Sequence, residues 1–246
     1  MHDQEGKENM QKKEASSGRW LTIPDPVREK DSRLFQFLRG VATIVLHTFL
    51  PVTYHHEERL QKEPPFVMIS NHRHALDPVI MAYPVRQTQT VFLGKKELGK
   101  GSLASWFLAT MHCILVDRHH TDMEAMRACM RAMKMKKVLV IFPEGTRHHE
   151  GQMEQIENGA SFIIMRSRVP VMPVYIDSKL RLFRRTHVYV GEAIPYEDLL
   201  SEGVNAETCE KMNERMRETF RALIREAEKN KKNFSEMQDF SGKGRK

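Results

Sequence analysis

The chain is poor in cysteine and has no long apolar run, and each shortage excludes a class of protein. Only three cysteines occur in 246 residues, Cys113, Cys129 and Cys209. An odd number without metal-ligand spacing supports neither a disulfide framework nor a thiolate metal site, and points to a reducing compartment. The longest uncharged stretch of the apolar segment, Gly40 to Tyr54, is about fifteen residues and contains Pro51, whereas crossing a bilayer takes ~20. The opening MHDQEGKENMQKKEASSG is polar and mixed in charge, so no cleavable signal peptide is expected there. No internal repeat is visible. What is present is a 40% hydrophobic content, enough for a sizeable core, and a net charge of +7. That basic balance suits anionic partners such as nucleic acid, acidic lipid headgroups or phosphorylated metabolites.

Composition changes along the chain suggest four parts. Residues 1–30 offer almost nothing to bury and read as a disordered polar N-terminus. Residues 31–60 hold the most apolar stretch, RLFQFLRGVATIVLHTFLPVTY (33–54). Written as a helix, it gathers Gln36, Arg39, Thr43 and His47 on one narrow polar stripe. It is either an ordinary packing helix or an interfacial one. Arg28, Lys30, Arg33 and Arg39 near its start favour a helix lying on an anionic membrane surface. Residues 61–232 alternate short apolar runs with helical patterning, and 233–246 form a basic tail, expected to fray.

Six runs read as buried strands: FVMIS (66–70), TVFLG (90–94), CILVD (113–117), KVLVIF (137–142), VMPVYI (171–176) and HVYVG (187–191). Between two of them, TDMEAMRACMRAM opens with a capping box of Thr121 and Glu124, and Met123, Met126, Met130 and Met133 share one face. From Asn205 to about Lys232 a charged helix carries Met212, Met216, Phe220 and Leu223 on one stripe. Alternating strands and helices predict an α/β fold, with a mainly parallel mixed sheet flanked by helices behind the N-terminal amphipathic segment. Ligands in such sheets bind outside the carboxyl ends of the strands.

The strand ends carry the chemistry. FVMIS runs into NHRHALDP (71–78), with His72 and Asp77 five positions apart. Five is a poor helical spacing, but a strand–turn–helix lets the acid fold back on the imidazole. Asp77 before Pro78 reads as acid at the N-cap and proline at N1. A carboxylate on one imidazole nitrogen fixes the tautomer and leaves the other basic, as a general base requires. The plainer alternative is that Asp77 merely caps a helix and His72 merely ends a strand. His72 and His74 form an H-x-H, but Leu76 and Asp77 occupy positions where a metallohydrolase needs an acid and another histidine, so no metal site is expected. A second strand end, VLVIF into PEGTR (143–147), supplies Gly145 for a tight turn, the Thr146 hydroxyl and the Arg147 fork. TVFLG leads to Lys95 and Lys96, and CILVD to Arg118. Cations converging on one rim suit a phosphate.

NHRHALD, with FLGKKEL (92–98), CILVDR (113–118), VIFPEGTR (140–147), ENGASF (157–162) and VPVMPV (169–174) following in order, resembles the glycerolipid acyltransferase family. The resemblance covers roughly residues 60–195. It implies that His72 deprotonates an acceptor hydroxyl, that Asp77 orients it, and that Lys95, Arg118 and Arg147 bind phosphate, with Glu144, Gly145 and Thr146 in the same loop. It further implies an acyl-CoA or acyl-carrier protein donor, lysophosphatidic acid as acceptor, and no metal or redox cofactor; the alternatives are glycerol 3-phosphate or another lysolipid as acceptor, or a non-catalytic lipid-binding protein. The setting it implies is peripheral or monotopic, on the cytoplasmic face of a membrane. Two departures stand out. His112 stands where a glycine is usual and His148 where a serine is common, both expected at the acceptor side of the pocket. Nucleic acid is not an expected partner, because the basic residues are spread out and no aromatic platform is evident.

Overall fold

The computed structural model describes residues 23–117, 122–146 and 153–243, the side chains of 158 and 234–243 excepted. Seven strands, β1 (Val52–His55), β2 (Phe66–Ser70), β3 (Thr90–Lys95), β4 (Cys113–Val116), β5 (Val138–Ile141), β6 (Val171–Ile176) and β7 (Thr186–Val190), form one sheet ordered β1-β7-β6-β2-β5-β3-β4. The five strands from β4 to β6 are parallel. β7 runs antiparallel to β6, and β1 pairs with β7 in parallel, so this edge pair is reversed. The carboxyl ends of β2, β3, β4 and β5 therefore share one rim.

Both faces of the sheet are covered, which is why its central strands are apolar throughout instead of alternating. On one face Val67, Ile69, Leu139 and Ile141 pack beneath helices α4 (Met123–Lys134), α5 (Asn158–Ser167) and α7 (Ala206–Lys243). On the other, Phe66, Met68, Val138 and Val140 meet α2 (Asp77–Ala82) and the end of α1 (Arg33–Thr48). Helices α3 (Ser102–Thr110) and α6 (Glu197–Ser201) complete the order. The expected stripe of α7 is buried: Met212, Met216, Phe220 and Leu223 all lie in the core.

Several expectations need correction. The apolar segment 33–54 is not one helix. α1 is capped by Ser32, whose hydroxyl accepts the Phe35 N–H, and ends at Thr48. Pro51 follows, and residues 52–55 become β1, an edge strand that pattern alone did not separate from the helix. α4 is capped by Asp122, which accepts the amides of Glu124 and Ala125, instead of by a Thr121 box; Thr121 lies outside the described residues. The buried face of α4 runs through Ala125, Cys129, Ala132 and Met133, leaving Met123 exposed at the edge of the methionine stripe. α7 continues to Lys243, beyond the expected fraying point at 233.

α1 is apolar over more than half its circumference at ~100° per residue. Phe35, Leu38 and Ala42 face the domain, whereas Leu34, Phe37, Val41 and Ile44 are exposed. No helix among the described residues is long and apolar enough to cross a membrane.

Candidate active site

β2 ends at Ser70, and the next residue fixes the strand end. The buried Asn71 side chain donates to the Ile176 carbonyl at 2.9 Å and accepts the Ile176 N–H at 2.8 Å, closing β2 onto β6. His72 then leaves the sheet. Its Nδ1 lies 2.8 Å from Asp77 Oδ2. A carboxylate can only accept here, so Nδ1 carries the proton and Nε2 is the basic nitrogen. Nε2 has no protein partner among the described residues. The ring stacks on Phe142, centroids 4.3 Å apart, and the backbone N–H donates to Glu144 Oε2 at 3.1 Å. Strand end, stacking and carboxylate together hold the imidazole in one orientation.

Asp77 folds back on His72 as the spacing suggested, but not as a cap. The helix cap is Leu76, and Asp77 is the first helical residue, followed by Pro78. Its Oδ2 instead accepts the Arg73 N–H at 2.6 Å and the His74 N–H at 2.7 Å, as well as His72. One carboxylate oxygen thus gathers three donors across the loop. Asp77 is 1% exposed and His72 has 18% of its side chain exposed, so the acid is sealed and only the imidazole edge reaches the cavity. Arg73 anchors the same loop by donating to the Asp177 carbonyl at 3.0 Å.

The β5 end forms the second side. Gly145 has φ 68°, a left-handed conformation that excludes most side chains. This lets the Gly145 N–H reach the Phe142 carbonyl at 3.0 Å and the Thr146 N–H reach the Glu144 carbonyl at 2.7 Å. Thr146 is exposed at the rim. Glu144, grouped by resemblance with the phosphate-binding residues, is buried and accepts the His72 N–H. Lys95 ends β3 half-buried, with no ion pair among the described residues, whereas its neighbour Lys96 pairs with Asp117 at 3.5 Å. Arg118 and Arg147 lie outside the described residues, as does His148.

A cavity of about 470 Å³ opens beside His72. Gly94 and Phe142 line it near the carboxyl ends of the strands, Thr88 and Gln89 just before β3, and Phe35 and Leu38 of α1 form a wall. It therefore follows β3 for about its full length, ~20 Å for six residues. Gly94 is required by close approach, since a Cβ there would stand 2.6 Å from Cys113 Sγ. Cys113 also lines this cavity, but burial pushes its thiol up to about 12, so it is no thiolate nucleophile at neutral pH. Asn71, Phe142 and Cys113 were not singled out from sequence. Their only signal was adjacency to the motif residues.

His112 corrects another expectation. It precedes β4, at the amino-terminal rim, opposite the rim that carries His72 and Lys95. It is fully buried with φ 59°. Its Nδ1 donates to the Pro26 carbonyl at 3.0 Å, and its Nε2 lies 3.0 Å from the Gln89 amide nitrogen and 3.1 Å from the Asp31 carboxylate. The departure from glycine ties the segment before α1 to the sheet, at the rim opposite His72.

Comparison with known proteins identifies the family. The acyltransferase family profile matches residues 51–177. The 1-acyl-sn-glycerol-3-phosphate acyltransferase of Streptococcus pneumoniae is 25% identical over 206 residues, covering 80% of this chain and 76% of the relative. The alpha form from Bos taurus is 30% identical over 177 residues, covering 66% of this chain and 58% of that protein's length. The crystal structure of the 1-acyl-sn-glycerophosphate (LPA) acyltransferase from Thermotoga maritima superposes with a TM-score of 0.55 at 20% identity, covering 77% of this chain and 79% of that one, and shares its fold. The matched region runs from the start of β1 past the end of β6 and encloses His72, Asp77 and the Gly145 turn, and this chain belongs to the acyltransferase family.

Proposed function

We propose that the chain transfers a fatty acyl group from an acyl thioester, carried by CoA or by acyl-carrier protein, to the free sn-2 hydroxyl of 1-acyl-sn-glycerol 3-phosphate. The product is phosphatidic acid. One observation carries the chemistry: His72 has Nδ1 bound to a sealed carboxylate, and its ring lines an apolar cavity with Nε2 left without a partner among the described residues. That is the arrangement of a general base awaiting an external hydroxyl.

His72 Nε2 takes the proton from the acceptor hydroxyl as its oxygen attacks the thioester carbonyl. Asp77 stabilises the imidazolium that forms. The tetrahedral adduct collapses with cleavage of the C–S bond, and the imidazolium returns the proton to the departing thiolate. Thioester and alcohol become ester and thiol, with no net change in protons. The neutral Cys113 thiol favours this direct transfer over an acyl-cysteine intermediate. Lys95 stands at the same rim with no ion pair among the described residues, and by resemblance Arg118 and Arg147 join it on the acceptor phosphate, holding the hydroxyl near attack distance. The cavity along β3 takes the acyl chain.

The substrates also suggest the setting. Acceptor and product are amphiphiles, and the outer face of α1 leaves Phe37, Val41 and Ile44 exposed. A protein bound peripherally or monotopically at the cytoplasmic face of a membrane fits both.

The test is thiol release from acyl-CoA and from acyl-carrier protein, with lysophosphatidate or glycerol 3-phosphate as acceptor, for the wild type and His72→Ala. Acceptor-dependent release that falls about 10²–10⁴-fold in the variant is expected. Release from neither donor with either acceptor would overturn the catalytic reading, and preference for glycerol 3-phosphate would reassign the acceptor.

A further inference from the structure

The link between β6 and β7 has an unusual tip. Arg181 and Arg184 bridge as a tight hairpin, and the two residues at its turn are Leu182 and Phe183. These are 65% and 72% exposed, and Phe183 is the most exposed large apolar residue among those described. Burying such side chains elsewhere would be worth ~1.5–3 kcal/mol each, so their display needs an explanation. Phe183 also adopts φ 58°, a region that bulky residues normally avoid. Its N–H donates to the Phe49 carbonyl at 2.8 Å, and its ring meets that of Phe49 at 5.9 Å. The hairpin is thereby fastened to the chain just beyond α1. Beneath the tip Leu180 is buried with Leu46 and Leu50, so the base is anchored while the tip projects.

Charge indicates what the tip meets. Arg181, Arg184 and Arg185 flank the two apolar residues, all three are exposed, and none has an ion pair among the described residues. A protein-facing apolar patch does not require three unneutralised cations around two side chains, whereas a bilayer bearing anionic headgroups supplies both the apolar interior and the counter-charge. Through Phe49 the tip adjoins α1, whose outer face exposes Phe37, Val41 and Ile44.

We infer that the Arg181–Arg185 hairpin is a second membrane-binding element, which inserts Leu182 and Phe183 among the lipids and pairs its arginines with anionic headgroups. This deepens the reading of an enzyme working at a membrane and adds to it a requirement for anionic lipid set by a loop that holds neither His72 nor Asp77. Two attachment points, the helix and the hairpin, also fix the protein's rotation on the surface, which one helix alone leaves free.

The test uses the full chain and vesicles of phosphatidylcholine, with and without phosphatidylglycerol. Wild-type protein is expected to bind the anionic vesicles more tightly. Replacing Arg181, Arg184 and Arg185 together by glutamine should weaken that binding by about fivefold per arginine while hardly changing binding to neutral vesicles. Phe183→Gly separates insertion from folding. Glycine suits φ 58°, so thermal stability should hold or rise while vesicle binding falls about tenfold. Thiol release with a monomeric short-chain lysophosphatidate should be unchanged in both variants. Vesicle binding needs no turnover, so it decides the hairpin's role whichever way the catalytic reading goes. Equal binding of wild type and both variants to anionic vesicles would overturn the inference, as would a Phe183→Gly protein that binds normally.

Discussion

Replacing Asp77 by asparagine probes the site at one atom. Oδ2 of Asp77 accepts from His72 Nδ1 at 2.8 Å and from two backbone amides at 2.6 and 2.7 Å. An asparagine oxygen can keep the two backbone donors, so the loop and fold should survive. What is lost is the charge facing the imidazolium. Two unit charges at this separation, in an effective dielectric of ~20, attract by about 6 kcal/mol. With roughly half the charge developed in the transition state, about 3 kcal/mol is withdrawn, or about 10² in kcat. If the amide NH₂ turns toward Nδ1, the tautomer inverts and Nε2 carries the proton, removing the base and extending the loss towards ~10⁴. The assay is acceptor-dependent thiol release at saturating substrates, with circular dichroism as the control for folding. KM should change little. Because Asp77 acts only through His72, the double variant with His72→Ala should lose no more than His72→Ala alone. A loss of less than tenfold in Asp77→Asn, or additive losses in the double variant, would refute the coupling and leave Asp77 as a brace for the loop.

Lys95→Ala should raise the KM for a phosphate-bearing acceptor by about 10–100-fold, the loss of one charge-assisted contact, while the donor KM stays near its original value; steady-state kinetics with each substrate varied decides it. Cys113→Ser should retain most activity, because a thiol pushed up to about 12 by burial supplies no nucleophile; a stable acyl-protein adduct that disappears in this variant would contradict direct transfer. Stability should fall as pH drops from about 7 to 5. Burial chiefly lowers the affinity of folded His112 for a proton, with Arg28 adding to this and Asp31 and the Pro26 carbonyl opposing it. The unfolded chain therefore takes up the proton first, and His55 contributes in the same direction through burial and His187. Thermal melts across this range should slope downward toward acid, and His112→Asn should flatten part of that slope.

Much of the parallel core was legible because a strand buried on both faces has an unmistakable composition. FVMIS and VMPVYI coincide with β2 and β6 residue for residue, TVFLG and CILVD differ from β3 and β4 by one residue at one end, and KVLVIF and HVYVG differ from β5 and β7 by one residue at each end. β1 was not legible. Its four residues continue an apolar run, and its pairing with β7 lies more than 130 residues away in the chain. The cap of α4 was misread by one position, because Thr121 and Asp122 are both good caps and only the backbone decides between them. At the site, spacing was enough to bring Asp77 back to His72, since a strand–turn–helix allows little else. Nothing local, however, distinguishes a carboxylate that caps a helix from one that collects the amides of the preceding loop. Glu144 is the clearest instance of that limit. Its motif places it in the phosphate-binding loop, and nothing in the sequence signals its 3.1 Å bond to the His72 N–H.

His112 shows how a departure from a family pattern becomes interpretable once the backbone is known. A glycine is usual where it stands, and φ 59° explains why, since the position is left-handed and a Cβ is strained there by ~1 kcal/mol or more. The histidine is tolerated because its two nitrogens meet the Pro26 carbonyl and the Gln89 amide, and its ring meets the edge of Phe35 at 4.6 Å. Phe35 lies on the inner face of α1 and lines the cavity, as do Gln89 and Asp31. The imidazole therefore braces the end of the cavity that lies before β3, and through Phe35 the helix whose outer face is exposed. Its loss should disturb the docking of α1 and the accommodation of long acyl chains before it disturbs the acceptor phosphate. In His112→Gly, a shift in chain-length preference with the lysophosphatidate KM unchanged is the expected result, measured by competition between acyl-CoA chain lengths. A raised acceptor KM with chain preference intact would instead return His112 to the acceptor side.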